Sequence, residues 1–314
     1  MSVIAGGTPR AGMRLGIVGT AGTYYVRRLL EAGASVLGPE AVAVVDYGEL
    51  ACGIGRDGEF LSPQRRFDAL IVRSMPLGSL EQVIFRMNCL HGLQRAGVVV
   101  LNAPRCLEIA IDKWLTLDRL REGGMLVPPS RVVQHRQAAM QAWEELGGDV
   151  VVKPLFGGEG RGLLRLQDAD MAWRAFGTLQ QLRAVLYVQQ FIPHLGYDVR
   201  VLVLGDRTWA IRRQAAEGQW RTNISQGGAA MRAELGGGEL EIASRCMRLV
   251  GGEFLGVDLL PDRDGRLWLL EVNAVPGWRG VESAWGVDIA RAVVEHAIAQ
   301  VKDSVDERSG TKIG

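Results

Sequence analysis

The sequence predicts an α/β protein, in which a small parallel α/β domain leads into a larger α+β region. Two observations carry this. Over the first third of the chain, short apolar runs alternate with helical segments, the pattern of βαβ units. Farther on, apolar runs come in pairs about Gly205-Asp206 and Asp264-Gly265, which is hairpin chemistry. At 314 residues and 47% apolar side chains, the chain has material for two or three cores.

Residues 1–12 are small and Gly-containing, without a charged n-region or a long apolar h-region, so they read as a flexible leader and not a signal peptide. The first strand is LGIVG within Met13–Thr20, followed by a helix over Tyr24–Ala32. Ala41–Asp46, Ala69–Val72 and Val98–Leu101 are further strands, with a helix over Leu80–Arg95. Gly16, Gly19 and Gly22, with Asp46 ending the next strand, suggest the dinucleotide site of an NAD(P)-dependent oxidoreductase. That fingerprint requires GxGxxG, and the spacing here is GxxGxxG, so tight turns are the better account.

An amphipathic helix from near Leu107 carries Asp112 and Lys113, and Val127-Pro128-Pro129-Ser130 stops it. A helix over Gln137–Leu146 and the strand Val150–Lys153 then lead into PLFGGEGRG, residues 154–162. Glycines at 157, 158, 160 and 162 allow close approach to a polyanion, and Lys153 at the strand end can reach a phosphate. No GK[ST] follows, so this is not a Walker loop, and a mobile hairpin tip is the plainer alternative. A helix over Asp168–Leu182 and a strand over Val185–Phe191 follow, then the hairpin Asp198–Leu204 with Thr208–Arg213. Arg200, Arg212, Arg213 and Arg221 crowd this stretch. They could clamp phosphates or a substrate carboxylate, or pair at the surface with Asp198 or Glu217.

Helices over Gly238–Val250 and Val287–Val301 flank the last hairpin, and a polar, frayed tail is expected from Lys302. The hairpin itself, Phe254–Leu260 with Leu267–Val272, is the expected chemical centre. If Asp264-Gly265 is the whole turn, Asp258 lies across from Glu271 and Asn273 shares their face. A loop of three or five residues would turn Asp258 to the other face. Facing carboxylates among leucines repel and resist desolvation, and a cation removes the problem. Two carboxylates and an amide oxygen form a hard set that suits Mg²⁺ or Mn²⁺ and not Zn²⁺. A solvated acidic face is the alternative.

Composition narrows the class. A net charge of +1 with scattered basic residues gives no field for nucleic acid or an anionic membrane. Cys52, Cys89, Cys106 and Cys246 form no CxxC and the four His are dispersed, which points to a reduced, cytoplasmic protein without a zinc site. No apolar run approaches membrane-spanning length. The apolar stretches fit monomer cores and homo-oligomer interfaces alike.

Taken in order, Asp112-Lys113, Val151-Val152-Lys153-Pro154 with its Gly loop, Gln189-Gln190-Phe191-Ile192, Asp198-Val199-Arg200, Arg221-Thr222-Asn223 and GVD…LEVNAVPG resemble the motif series of the ATP-grasp superfamily. The nearest resemblance is to RimK-type α-L-glutamate ligases. It implies an ATP-grasp fold with an N-terminal α/β domain over 13–104, then a lid subdomain over 105–191 and a C-terminal subdomain over 192–303 that grip ATP, and a tail over 304–314. It also implies a magnesium-dependent, ADP-forming ligase that joins L-glutamate to an acceptor carboxylate. A small pterin-like acceptor is favoured over a protein or peptide C-terminus.

By the same resemblance, Asp258, Glu271 and Asn273 bind two Mg²⁺ (or Mn²⁺) ions, with Glu271 bridging. Lys113 and Lys153 hold the ATP phosphates under a lid formed by Gly157, Gly158, Glu159, Gly160, Arg161 and Gly162. Gln190, Phe191 and Ile192 line the adenine, whose edge is read by backbone groups of that strand. Asp198, Arg221, Thr222 and Asn223 complete the nucleotide site. Arg213 stabilises the transferring phosphoryl group, and Arg73 and Arg200 bind substrate carboxylates. Three positions depart from the pattern: Gln190 stands where Glu is frequent, Arg212-Arg213-Gln214 replaces a Glu-Arg-Arg-like run, and Val275 stands where Ser is common. A non-catalytic ATP-binding regulator is a further alternative, against which the intact ligand set argues.

Overall fold

The computed structural model describes residues 12–157, 161–222 and 229–310. The first unit comprises β1 (Leu15–Val18), α1 (Tyr24–Leu37), β2 (Val42–Val45), a short ribbon of β3 (Gly53–Ile54) and β4 (Phe60–Leu61), then β5 (Ala69–Val72), α2 (Leu80–Arg95) and β6 (Val99–Leu101). Its main sheet is parallel in the order β2-β1-β5-β6. β1 and β5 are buried along their whole length, as apolar runs without alternation require when both faces are covered. The glycines here have packing reasons. A Cβ on Gly16 would strike Leu70, one on Gly19 would strike Val26, and Gly22 has φ +79. Tight packing and a left-handed turn therefore account for GxxGxxG without a dinucleotide.

The second unit contains α3 (Pro104–Ile111), α4 (Lys113–Glu122), β7 (Ser130–Val133), α5 (Arg136–Glu145), β8 (Val150–Lys153), β9 (Leu164–Leu166), α6 (Ala169–Gln181) and β10 (Leu186–Gln190). Its sheet is antiparallel, ordered β7-β10-β8-β9. α5 and α6 cover it through Ala139, Ala142, Ala172 and Phe176. The single helix expected from Leu107 is two helices. Asp112 breaks it, and its Oδ1 accepts from the amides of Trp114 and Leu115 at 2.9 and 3.0 Å, which caps α4.

The third unit contains β11 (Tyr197–Leu204), β12 (Arg207–Gln214), β13 (Ala229–Ala233), α7 (Gly237–Val250), β14 (Phe254–Pro261), β15 (Leu267–Asn273), α8 (Arg279–Trp285) and α9 (Ile289–Gly310). β13 and α8 carry no clear sequence signal, and α9 runs past the expected end at Val301. The sheet is antiparallel, ordered β13-β12-β11-β14-β15. α9 returns to the first unit, so Leu29, Ile71, Trp278, Val293 and Val294 share one core.

The central hairpin differs from expectation in an informative way. Asp262 and Arg266 close a three-residue loop with Gly265 at φ +82, and Leu259 pairs with Leu269. Alone, that offset would send Asp258 to the wrong face. A bulge at Leu270 restores the register, so Asp258 does face Glu271.

Candidate active site

Sheet register builds the site's electrostatics. On β11 and its neighbours, Asp198 stands opposite Arg213 and Arg200 opposite Asp258, so acids meet guanidiniums across strands. Arg213 binds Asp198 through Nε and Nη2 at 2.7 and 2.6 Å, and its Nη2 also lies 2.9 Å from Asp258 Oδ2. Arg200 donates to both Asp258 oxygens at 2.6 Å. Thr222 Oγ1 donates to Asp198 at 2.5 Å. Asp258 is 3% exposed and Arg213 2% exposed. Burial opposes ionisation of Asp258, yet the two guanidiniums hold its carboxyl well below the usual range. The repulsion expected between Asp258 and Glu271 is thus relieved at Asp258 by arginines.

Lys153 leaves β8 after three buried valines and delivers its ammonium to a cleft between the second and third sheets. Burial, aided by Lys113 and opposed by Glu271 and Asp258, lowers its pKa to about 8. Lys113, the first residue of α4, donates to the Gly157 carbonyl and lies 3.8 Å from Glu271 Oε1. Arg221 Nη2 reaches the Leu163 carbonyl at 2.5 Å, so both strands leaving the Gly loop are tied to cleft residues.

The cleft brings together Lys113, Lys153, Gly157, Arg161, Gln190, Phe191, Ile192, Asp198, Arg213, Arg221, Thr222, Asp258 and Glu271, all of them sequence candidates. Among the described residues that line it, Lys and Arg outnumber carboxylates. Gly162 sits on the return from the loop at φ +74. Gly158, Glu159, Gly160 and Asn223 lie outside the described residues. Asn273 is opposite Gly256, two residues along β15 from Glu271, and faces an adjoining cavity. Among the described residues, no group of three or more His, Cys, Asp or Glu converges on a metal position. Asp258, Glu271 and Asn273 share one face of the β14–β15 hairpin.

On the adenine side, two backbone amides of the strand are already paired. The amide of Gln190 donates to Pro129 O at 2.8 Å and that of Phe191 to Asp149 O at 3.0 Å, so neither can read a base edge. Phe191 is held as a ring wall, with Arg165 Cζ 3.4 Å from its centroid and Trp220 edge-on at 6.0 Å. Arg73 does not line the cleft. It is sandwiched between Tyr25 and Trp278, its Cζ 4.7 and 4.6 Å from their centroids, and donates to Pro276 O at 3.0 Å. Its Nε has no partner among the described residues, and burial lowers its pKa to about 10. Arg200 is also off the cleft lining, its guanidinium on Asp258.

Asn102 escaped sequence reasoning. Its amide donates to Phe254 O and Ala274 O at 2.6 and 2.7 Å and accepts from the amides of Glu253 and Phe254 at 2.8 Å. It therefore fixes the start of β14 against the segment after Asn273. A single Asn after a strand carries no signal for this, since all four bonds are to the backbone about 150 or more residues away.

Residues 110–297 match the RimK-like ATP-grasp domain. A tetrahydromethanopterin:α-L-glutamate ligase of Methanosarcina acetivorans is 33% identical over 257 residues, covering 73% of this chain and 79% of that protein. A probable α-L-glutamate ligase of Xanthomonas oryzae is 34% identical over 290 residues, covering 90% and 96%. In structure, the ATP-grasp ligase PsnB complexed with its minimal precursor superposes with a TM-score of 0.72 at 24% identity, over 92% of this chain and 99% of that one.

Proposed function

The chain belongs to the RimK-like ATP-grasp family of ligases, and on that premise we propose that it joins L-glutamate to the carboxylate of a small acceptor, forming ADP through an acyl phosphate. The observation that carries this is the cation-rich cleft, where the ammonium of Lys153 stands beside the carboxylates of Asp258 and Glu271, with Asn273 two residues farther along β15. A triphosphate would pair with the ammonium groups of Lys113 and Lys153.

The residues fit a Mg-nucleotide. Arg200 and Arg213 use three of roughly four lone-pair sites on Asp258, which leaves one for a cation. Glu271, with a quarter of its side chain exposed, has Lys113 as its ion-pair partner among the described residues. Glu271 and Asn273 would therefore supply most of the cation's protein oxygens, Glu271 bridging where two ions bind. Bound Mg²⁺ would neutralise charge on the transferring phosphoryl group.

In this reading an acceptor carboxylate oxygen attacks the γ-phosphorus, the bond to the β,γ-bridging oxygen breaks, and ADP leaves. The ammonium of the amino acid loses one proton to solvent, the resulting amine attacks the acyl carbon, and phosphate departs carrying the second proton that nitrogen loses as the amide forms. Lys113 and Lys153 hold the phosphates, and Arg213, fixed by two aspartates, meets the developing charge. Gly157, Arg161 and Gly162 belong to the covering loop, the Ile192 amide faces the base edge, and Phe191 faces its plane. Arg73 suits a substrate carboxylate, having no acidic partner among the described residues. Arg200 orients Asp258. The name of the Methanosarcina relative supports a pterin acceptor.

ADP release from Mg-ATP and L-glutamate, with candidate acceptors and a cell metabolite extract, tests the reading against Glu271→Ala as the blank. Release requiring both amino acid and acceptor is expected. Clear nucleotide binding without any such release would overturn it.

A further inference from the structure

Beside the phosphate cleft lies a second cavity of about 550 Å³, within the usual size of small-molecule sites. Gly157 lines both spaces, and Asn273, Ala274 and Val275 form the inner wall of the second. An occupant therefore has access to the point where phosphates and metal oxygens would meet. The outer wall is apolar: Leu77 and Ile84 from the α2 side and Phe156 from the Gly loop are 97%, 50% and 56% exposed. Surface this apolar and this uncovered, around a concave space, marks a binding site.

Charge separates the two spaces. Among the described residues, the second is lined by two acids and no Lys or Arg. Glu108 is already held by His91 Nε2 at 2.9 Å and Arg105 Nη1 at 3.0 Å, and Asp112 is the cap of α4. Among the described lining residues an occupant finds no Lys or Arg to meet additional anionic groups. We propose that this cavity receives the body of the acceptor acid, and that this body is an uncharged aromatic or aliphatic small molecule whose reacting carboxylate points past Gly157 to the phosphates. The proposal rests on the ligase reading and narrows its substrate class. A polyglutamate chain or an acidic peptide would bring repeated carboxylates into an apolar space that offers them no partner among the described lining residues.

The test uses 2-naphthylacetate, followed by its own fluorescence, with the full-length protein in Mg-ADP. Wild type should bind it saturably, and tetra-γ-glutamate should not displace it. Ile84→Glu, at a half-exposed helix position, should weaken naphthylacetate at least about tenfold while Mg-ADP affinity stays unchanged. Displacement by tetra-γ-glutamate, or naphthylacetate binding indifferent to Ile84→Glu, would overturn the proposal, as would no binding in a protein that still takes Mg-ADP. Failure of wild type to bind Mg-ADP would instead overturn the ligase reading beneath it.

Discussion

Nucleotide binding should take up a proton at alkaline pH, and Lys153 is the reason. Burial holds its ammonium at about 8 in the empty cleft, against 10.5 for the ordinary side chain. That difference is worth about 3 kcal/mol against the charged form. A bound triphosphate reverses the imbalance and draws the pKa back up. At pH 7 about nine-tenths of the empty sites already carry the proton, at pH 8 about half, and at pH 9 about a tenth. Uptake on binding should therefore be about 0.1, 0.5 and 0.9 protons, and nucleotide affinity should fall about fivefold between pH 8 and 9. Burial keeps three thiols out of this window, pushing Cys89, Cys106 and Cys246 up to about 12, and it lowers Arg73 only to about 10.

The assay is calorimetric titration with Mg-ADP in buffers of different ionisation enthalpy, on wild type and Lys153→Arg. The arginine keeps a cation that does not titrate in this range, so its uptake should be near zero. The same linkage stabilises the empty protein as pH rises from 8 to 10.5. In that window the unfolded chain still holds the proton that the folded chain has released. Uptake below about 0.2 protons at pH 9, or equal uptake in Lys153→Arg, would refute the reasoning.

Further outcomes follow from the same geometry. Glu271→Ala should abolish turnover while changing unfolding free energy by less than about 1 kcal/mol, whereas Asp258→Asn should cost about 3 kcal/mol because it takes the carboxylate from half-buried Arg200 and leaves buried Arg213 with Asp198 alone. Denaturant titration of both variants checks this, and equal destabilisation would contradict it. Asn102→Ala, which removes four bonds to buried backbone, should cost about 2–4 kcal/mol by the same titration. Arg73→Lys keeps the charge and loses the fork. It should raise the KM for the amino acid at least about tenfold with the KM for ATP unchanged in steady-state assays.

What the sequence made legible was whatever has a local pattern. Short continuous apolar runs located β1, β5 and β6, the Gly205-Asp206 turn set the β11–β12 hairpin, and a lysine before glycines pointed to the cleft. What it hid were relations between distant segments. The break at Asp112 was invisible because the apolar spacing continues through it, although Asp is a strong capping residue. β13 was missed because Ala229–Ala233 alone has no strand pattern; it exists through pairing with β12. The second cavity is made by α2, α3 and the Gly loop together, and no single segment announces it.

The hairpin shows why register deserves separate argument from turn type. A three-residue loop and a one-residue bulge each flip the face, and together they cancel, so the pairing of Asp258 with Glu271 follows from two offsets and not from a two-residue turn. Reaching the same pairing by either route leaves different mechanics. With a bulge at Leu270, immediately before Glu271, the backbone next to this carboxylate is freed from regular pairing, while Asp258 stays clamped by Arg200 and Arg213. The two facing carboxylates are thus unequal. Asp258 is locked in charge by its neighbours, and Glu271 is left to respond to whatever cation arrives.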